Sequence, residues 1–348
     1  MSLENKLIAV DAMTLEAGTK YLVDSLSACL DKYDNLRIVL AGNKKNKELR
    51  SLKNERISIE HSSEIVGSED SIRTVLKKKD SSTLLTAKIV GEGRADAGIS
   101  FGNTKGVAYA VYRHLNPLNN LKKMPLAVKI PVIRGEKSTY ALILDVGSTG
   151  FDDCESKNLL EFGIVAKNYA LREGIACPKI GILNNGKEPK KGTEMTRNAD
   201  RLFREYSKKD NSFTYTGFAE GREIFYGNES CPDVIVTDGF SGNICLKMME
   251  GEALLFKKAI EDSFNKNILT RIVGAAAKYL GIFDDLKNRL NPDQYGGAYF
   301  LGLEKPFIKG HGAANKKAIC TAVDAAYRAA SYKNNDNIIS DLEKADIL

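Results

Sequence analysis

Six short runs of β-branched and small apolar residues recur between stretches of helical periodicity: LIAVDA at 7–12, LRIVLAG at 36–42, ADAGIS at 95–100, ALILDVG at 141–147, KIGILN at 179–184 and DVIVTDG at 233–239. Such alternation predicts an α/β fold with a mostly parallel sheet and crossover helices. Most of the runs end in Asp, Asn, Ser or Gly. In open α/β sheets ligands bind outside the carboxyl ends of the strands, so function is expected in the loops that follow these runs.

Between the strands, residues 82–91 and 159–172 read as amphipathic helices. From 243 to about 290 the pattern is nearly continuous helix. A Gly-rich loop, NPDQYGG, then leads to a last strand, PFIKGH, and a closing helix from Ala313. No fixed-period repeat is present. This organisation predicts a single domain over 1–330 with a helical insertion at about 243–290, then a polar connector and short helix at 331–348.

A chain of 348 residues that is 43% hydrophobic can bury a large core. Its apolar stretches are strand-sized or carry charge, too short to span a bilayer. The first residues, MSLENK, lack a secretory layout, so the cytoplasm is the expected compartment. Six scattered cysteines and three histidines offer neither a C-x-x-C pair nor a zinc pattern, so no metal is expected. A net charge of +6, without aromatics interleaved among the cations, suits an acidic partner or anionic ligand and argues against nucleic acid.

Two motifs are decoys. Gly181–Lys187 has phosphate-loop spacing, but Glu188 stands where a Ser or Thr would hold magnesium and Gly181 lies within a strand run. Gly91 and Gly93 follow a helix and lack the third glycine of a dinucleotide fingerprint. The informative segments are Asp238-Gly-Phe-Ser-Gly-Asn243 and Lys309-Gly-His-Gly-Ala-Ala-Asn315, each with polar side chains and glycines between a strand and a helix start. Backbone N–H groups there point at an anion. Asp238 and Asn243 are also what a turn and a helix cap need. Lys77-Lys-Lys-Asp-Ser-Ser-Thr83 and Ser100-Phe-Gly-Asn-Thr-Lys-Gly106 add two similar loops, and four in one sheet suggest a shared site.

In order along the chain, IAVDAM, KKKDSS, GRADAGISFGNTKG, LDVG, KIGILNNGKEPKKG, FAEGREI, DVIVTDGFSGNICLKMMEG and NPDQYGGAYFLGLEKPFIKGHGAAN resemble the acyl-ACP:phosphate acyltransferase family of phospholipid synthesis, PlsX. The resemblance implies a Rossmann-like α/β/α sandwich related to phosphate acetyltransferases and isocitrate-dehydrogenase-like folds. It further implies acyl carrier protein and inorganic phosphate as partners, no cofactor, and a homodimer. Three loops depart from the family pattern: Thr14-Leu-Glu-Ala-Gly18, Ser100-Phe-Gly-Asn-Thr-Lys105 and Gly147-Ser-Thr149 with the stretch before Cys154.

Phosphate is already a nucleophile and a pantetheine thiol, with a pKa of about 8.5, is a fair leaving group. The site therefore has to supply proximity, charge neutralisation and oxyanion donors. The catalytic candidates are Asn103, Lys191, Asp238, Asn243 and His311, with His311 either protonating the thiolate or only positioning its loop. Substrate binding is assigned to Lys77, Lys78, Lys79, Ser81 and Ser82, to Asp145 and Gly147 for the thioester, and to Gly239, Ser241, Gly242, Gly312 and Asn315 for phosphate. The three lysines are expected to steer the acidic carrier protein. The rival readings are a transferase that uses coenzyme A thioesters, a weakened paralogue that binds carrier protein or scaffolds lipid enzymes, and an isocitrate-dehydrogenase-like oxidoreductase, disfavoured because neither an Asp cluster for magnesium nor an adenine-binding loop is identified.

Between 267 and 290, Ile268, Leu269, Ile272, Val273, Ala276, Leu280, Phe283, Leu286 and Leu290 form a helical stripe with Arg271, Lys278, Lys287 and Arg289 interspersed and Asp284 and Asp285 interrupting. Such a stripe suits a membrane interface or another subunit; the family resemblance favours a dimer with weak peripheral membrane association, against an ordinary core-facing helix.

Overall fold

The computed structural model describes residues 4–149, 153–228, 230–282, 296–332 and 335–346. The chain opens with β1 (Lys6–Asp11), α1 (Gly18–Leu30), β2 (Leu36–Gly42), α2 (Lys47–Arg50), β3 (Ile57–His61), α3 (Ile72–Val75), α4 (Ser82–Gly91), β4 (Ala97–Ser100) and α5 (Thr104–His114). The hairpin of β5 (Leu126–Arg134) and β6 (Lys137–Leu144) follows, then α6 (Ser156–Arg172), β7 (Lys179–Leu183), α7 (Glu194–Tyr206), β8 (Thr214–Ala219), α8 (Gly221–Phe225), β9 (Tyr226–Gly227) and β10 (Val234–Val236). Next come α9 (Gly239–Phe264) and α10 (Ile268–Tyr279); β11 (Ala298–Phe300), β12 (Phe307–Lys309), α11 (Lys316–Ala330) and α12 (Asp336–Asp346) complete the described elements.

All strands join one sheet, ordered β3-β2-β1-β4-β12-β11-β5-β6-β10-β7-β8, with β9 beside β5. From β3 to β12 neighbours run parallel; β11 and β6 are antiparallel to β5; from β6 to β8 neighbours are parallel again. The antiparallel middle reverses the sense, so the carboxyl ends of β1, β4 and β12 face one edge and those of β6, β10 and β7 the other. Both faces are covered. Leu22, Leu26, Phe162, Val165, Phe203 and Ile319 pack on one side, and Val90, Val107, Val111, Phe300 and Phe307 on the other.

Expectations from sequence are corrected at three places. The helices at 82–91 and 156–172 are buried on more than one stripe, because α5 packs over α4, and α7 and α12 over α6. The continuous helix expected from 243 starts at Gly239 and breaks at Asn265–Asn267. There the Asn267 side chain accepts from the Thr270 amide and the Thr270 hydroxyl accepts from the Asn267 amide, capping a new helix instead of extending the old one. The closing helix starts at Lys316, because Asn315 caps it by accepting from the Ala318 amide. The last helix is fastened to the body: Lys167 Nζ lies 2.5 Å from carboxylate oxygens of both Asp210 and Asp341.

Among the described residues no helix is long and apolar enough to cross a membrane. Beyond Glu250, however, α9 leaves the body, and α10 is exposed along most of its length. Leu254, Leu255, Phe256, Ile268, Leu269, Ile272 and Val273 are all exposed. The expected stripe therefore does not face this chain's core, as far as Leu280; Phe283 to Leu290, with the charges among them, and most of NPDQYGG lie outside the described residues.

Candidate active site

A buried aspartate organises the loops at each edge. At the first edge Asp11, at the end of β1, accepts from Thr83 Oγ1 at 2.7 Å and Ser100 Oγ at 2.8 Å through one oxygen, and from the Met13 amide at 3.2 Å through the other. Three elements distant in sequence are thereby tied together. Ser81 caps α4, and Asn103 caps α5 by accepting from the Gly106 amide while its Nδ2 donates to Gly67 O at 2.7 Å. The departing loop at 14–18 docks on the HGAAN loop: the Glu16 amide donates to Gly312 O at 2.9 Å, and Leu15 is buried. His311 is exposed and its Nδ1 accepts from the Ala313 amide, leaving Nε2 outward.

Of the three consecutive lysines, Lys78 is engaged, donating to Ile65 O and Asp70, whose carboxyl it holds below the usual range. Lys77 and Lys79 are exposed, as are Arg73 and the apolar Ile65, Ile72 and Leu76 around α3.

At the second edge Asp145, fully buried, accepts from the amides of Leu126, Gly147, Ser148 and Thr149 and from the Ser148 and Thr149 hydroxyls. Burial nevertheless pushes its pKa up against these donors. The helix α9 begins directly on this loop. Thr149 Oγ1 accepts from the Gly239 amide, and Asp238, 4% exposed, caps α9 by accepting from the amides of Phe240 and Ser241. A Cβ at Gly239 would stand 2.2 Å from Thr149 O, and one at Gly242 1.8 Å from Asp145 O, so only glycine permits this approach.

Asn243 lies beside Gly147, whose added Cβ would meet its Oδ1 at 3.6 Å. Its side chain is exposed and makes no hydrogen bond among the described residues. Lys191, in the loop after β7, is exposed at the same edge, since β7 and β10 run parallel side by side.

The four loops read together in the sequence thus divide into two groups by strand sense. Thr83 with Asn103, His311, Gly312 and Asn315 belongs to the first edge; Asp145, Gly147, Lys191 and the DGFSGN segment belong to the second. The link between them is α9. Lys247, one turn beyond Asn243 on the same helix face, lies near enough to Lys309 at the end of β12 to act on its charge. Asp11, Thr83, Ser100, Ser148 and Thr149 carry the scaffolding and were not among the candidates. The signal available for them was a polar residue closing an otherwise apolar strand run. Among the described residues no His, Cys, Asp or Glu cluster could hold a metal ion.

A family model described as fatty acid synthesis protein matches residues 7–336. The phosphate acyltransferase of Bacillus subtilis is 32% identical over 322 residues, 92% of each chain, and that of Cellvibrio japonicus 34% identical over 340 residues, 96% of this chain and 97% of its own. Among solved structures, a phosphotransacetylase from Streptococcus pyogenes superposes with a TM-score of 0.59 at 16% identity, over 93% of this chain and 94% of that one. EutD phosphotransacetylase from Staphylococcus aureus gives 0.55 at 13%, over 94% and 93%. These two likenesses establish the fold. It is the sequence relatives, similar along nearly their entire length, that place this chain in the PlsX family of phosphate acyltransferases, enzymes that transfer acyl groups to phosphate.

Proposed function

We propose that the acyl donor is acyl carrier protein and that the product is an acyl phosphate destined for phospholipid synthesis. The observation that carries this reading is the surface around α3, where exposed Ile65, Ile72 and Leu76 lie among Arg73, Lys77 and Lys79. An acidic protein donor uses such a surface, through steering charge and an apolar contact; a small coenzyme A thioester has no need of it. The segment leads directly into Ser81 and Ser82 at the start of α4, so a docked carrier delivers its pantetheine arm to the first edge.

In the reaction a phosphate oxygen attacks the thioester carbonyl, the C–S bond breaks, and the thiolate takes up a proton. Asn243, with an unengaged amide, is assigned to the tetrahedral oxyanion, and Lys191 to neutralising negative charge beside it. The thiolate takes its proton from solvent, because His311 stands at the first edge and Asn243 at the second. Asp238 and Asn103 hold the helix starts that present N–H groups, and Asp145 shapes the loop beneath Asn243.

The test is acyl phosphate formation from acyl-ACP or acyl-CoA with inorganic phosphate. A preference for acyl-ACP that collapses in raised salt, and whose Michaelis constant rises when Lys77 and Lys79 become Glu, supports the reading; equal responses of both donors would remove the α3 surface from docking. For the projecting α9–α10 pair we propose a dimer contact together with weak binding to anionic lipid. Liposome flotation at low salt should fall with Ile272→Asp or Val273→Asp, while a dimer that ignores such vesicles would leave the stripe to subunit packing alone.

A further inference from the structure

Lys309 stands where a cation is costly. Lys309 ends β12, paired with Ser100 of β4 on one side and Ala298 of β11 on the other. Strand alternation puts its side chain on the same sheet face as Phe307, the face that α4, α5 and the start of α9 cover. Its backbone is clamped: a Cβ at Gly297 would lie 2.5 Å from Lys309 O. The residue is half-buried, and among the described residues its amine has no hydrogen bond and no carboxylate partner.

The charges that reach it make the position worse. Lys247 repels it, and the nearby acid, Glu250, is already engaged with Lys247 at 2.7 Å. Burial and this like charge pull the Lys309 pKa below the ordinary lysine value. A cation held out of water beside another cation is stabilised by an anion, and among the described residues no carboxylate is in contact with it.

The surroundings supply the rest of an anion site. Next to Lys309, Ser100 Oγ bonds Asp11, and Gly102 brings Thr14 and Thr83 to the same spot: a Cβ there would meet Ser100 Oγ at 3.3 Å, Thr14 Cγ2 at 3.4 Å and Thr83 Oγ1 at 3.4 Å. Thr14 Oγ1, beside Gly102, and Ser82 Oγ, on the residue before Thr83, are buried without a hydrogen-bond partner among the described residues, and Ser82 is 0% exposed. Both α4 and α5 begin here, with their first N–H groups and positive dipole ends.

We propose that Lys309 binds the acceptor phosphate, in a pocket completed by the hydroxyls of Thr14, in the loop between β1 and α1, and of Ser82, at the start of α4. The position suits an acceptor on its way to Asn243, because α9 carries Lys247 and Asn243 along one face from this pocket toward the second edge. The altered loop at 14–18 then contributes a ligand: its first residue, Thr14, offers a hydroxyl to phosphate. The inference rests on phosphate as acceptor and is independent of which thioester donates.

Binding of inorganic phosphate to the full chain, followed by phosphorus NMR line broadening, tests it without any donor. Lys309→Met should weaken binding roughly tenfold or more, the loss of one charge-assisted contact, whereas Lys309→Arg should stay within a few-fold. The pH profile is the sharper readout. A lysine whose pKa is lowered is charged below that pKa, so wild-type affinity should fall as pH rises through it, and in Lys309→Arg that alkaline loss should disappear. In turnover, the methionine variant should raise the Michaelis constant for phosphate and leave that for the thioester unchanged. A folded Lys309→Arg protein that keeps the wild-type alkaline limb, or a Lys309→Met protein that binds phosphate as before, would overturn the proposal. If the methionine variant melts early, the arginine profile decides. Failure with acyl-ACP but normal phosphate binding would count against the donor reading alone.

Discussion

Asp11 and Asp145 do the same job at opposite edges of one sheet, and they do it differently. Apart from the Met13 amide, the partners of Asp11 are hydroxyls 72 and 89 residues away, so it mainly clamps separate elements. Most partners of Asp145 lie two to four residues ahead, so it creates the loop that it anchors. A hydroxyl that loses its acceptor can rotate to another; a backbone amide in a closed loop cannot. The second edge is therefore the more brittle support, and it is the one on which α9 and the unengaged Asn243 rest.

Three measurements sharpen or break this contrast. The largest effect should come from Asp145→Ala, which strands the amides of Leu126, Gly147, Ser148 and Thr149. A loss on the order of 4 kcal/mol in urea unfolding is expected, against about 2 kcal/mol for Asp11→Ala. Equal losses would show that clamp and loop scaffold are equivalent. Next, Asn243→Ala should lower turnover roughly tenfold or more with an unchanged melting temperature, as for a lost transition-state donor. Asn103→Ala should cost about 1 kcal/mol of stability through its cap. An inert Asn243→Ala would reduce Asn243 to a surface residue of α9.

The smallest effect concerns carboxylates whose burial is compensated. Asp210 is opposed by burial, but its bonds to Lys167 and Ser212 win and hold its pKa at about 2, in contrast to the raised Asp145. A lowered folded pKa means that Asp210 stabilises the fold above the ordinary carboxylate range of about 3.9. That stability is lost as pH falls through about 2. Asp210→Asn should flatten the acid limb of the unfolding midpoint in this window; an unaltered limb would assign the loss to other carboxylates.

Much of the sheet was legible because parallel strands buried on both faces are continuous apolar runs, as at 36–42, where the run and β2 coincide. The antiparallel middle was not. In β5 the run is interrupted by Lys129 and Pro131, and β11 spans only three residues, too few for a period. Missing these strands concealed the reversal of sense, and with it the division of the loops into two groups. At the site, Asp238 and Asn315 were legible as residues between strand and helix, but a single sequence cannot separate a cap from a ligand, since both need the same side chain at the same position. Lys309 illustrates the converse: it was visible in its motif, but only packing shows that its amine has no partner among the described residues.

The pairing of β12 with β4 has a consequence for synthesis. Strands β5 to β8 and β10 all fall between residues 126 and 236, so the sheet beyond β11 has its partners at hand as soon as that stretch leaves the ribosome. The earlier strands must wait, because β4 presents a bare edge until Phe307–Lys309 emerges more than two hundred residues later. A nascent chain therefore carries an open, apolar strand edge for most of its translation, the kind of edge that recruits chaperones or other chains.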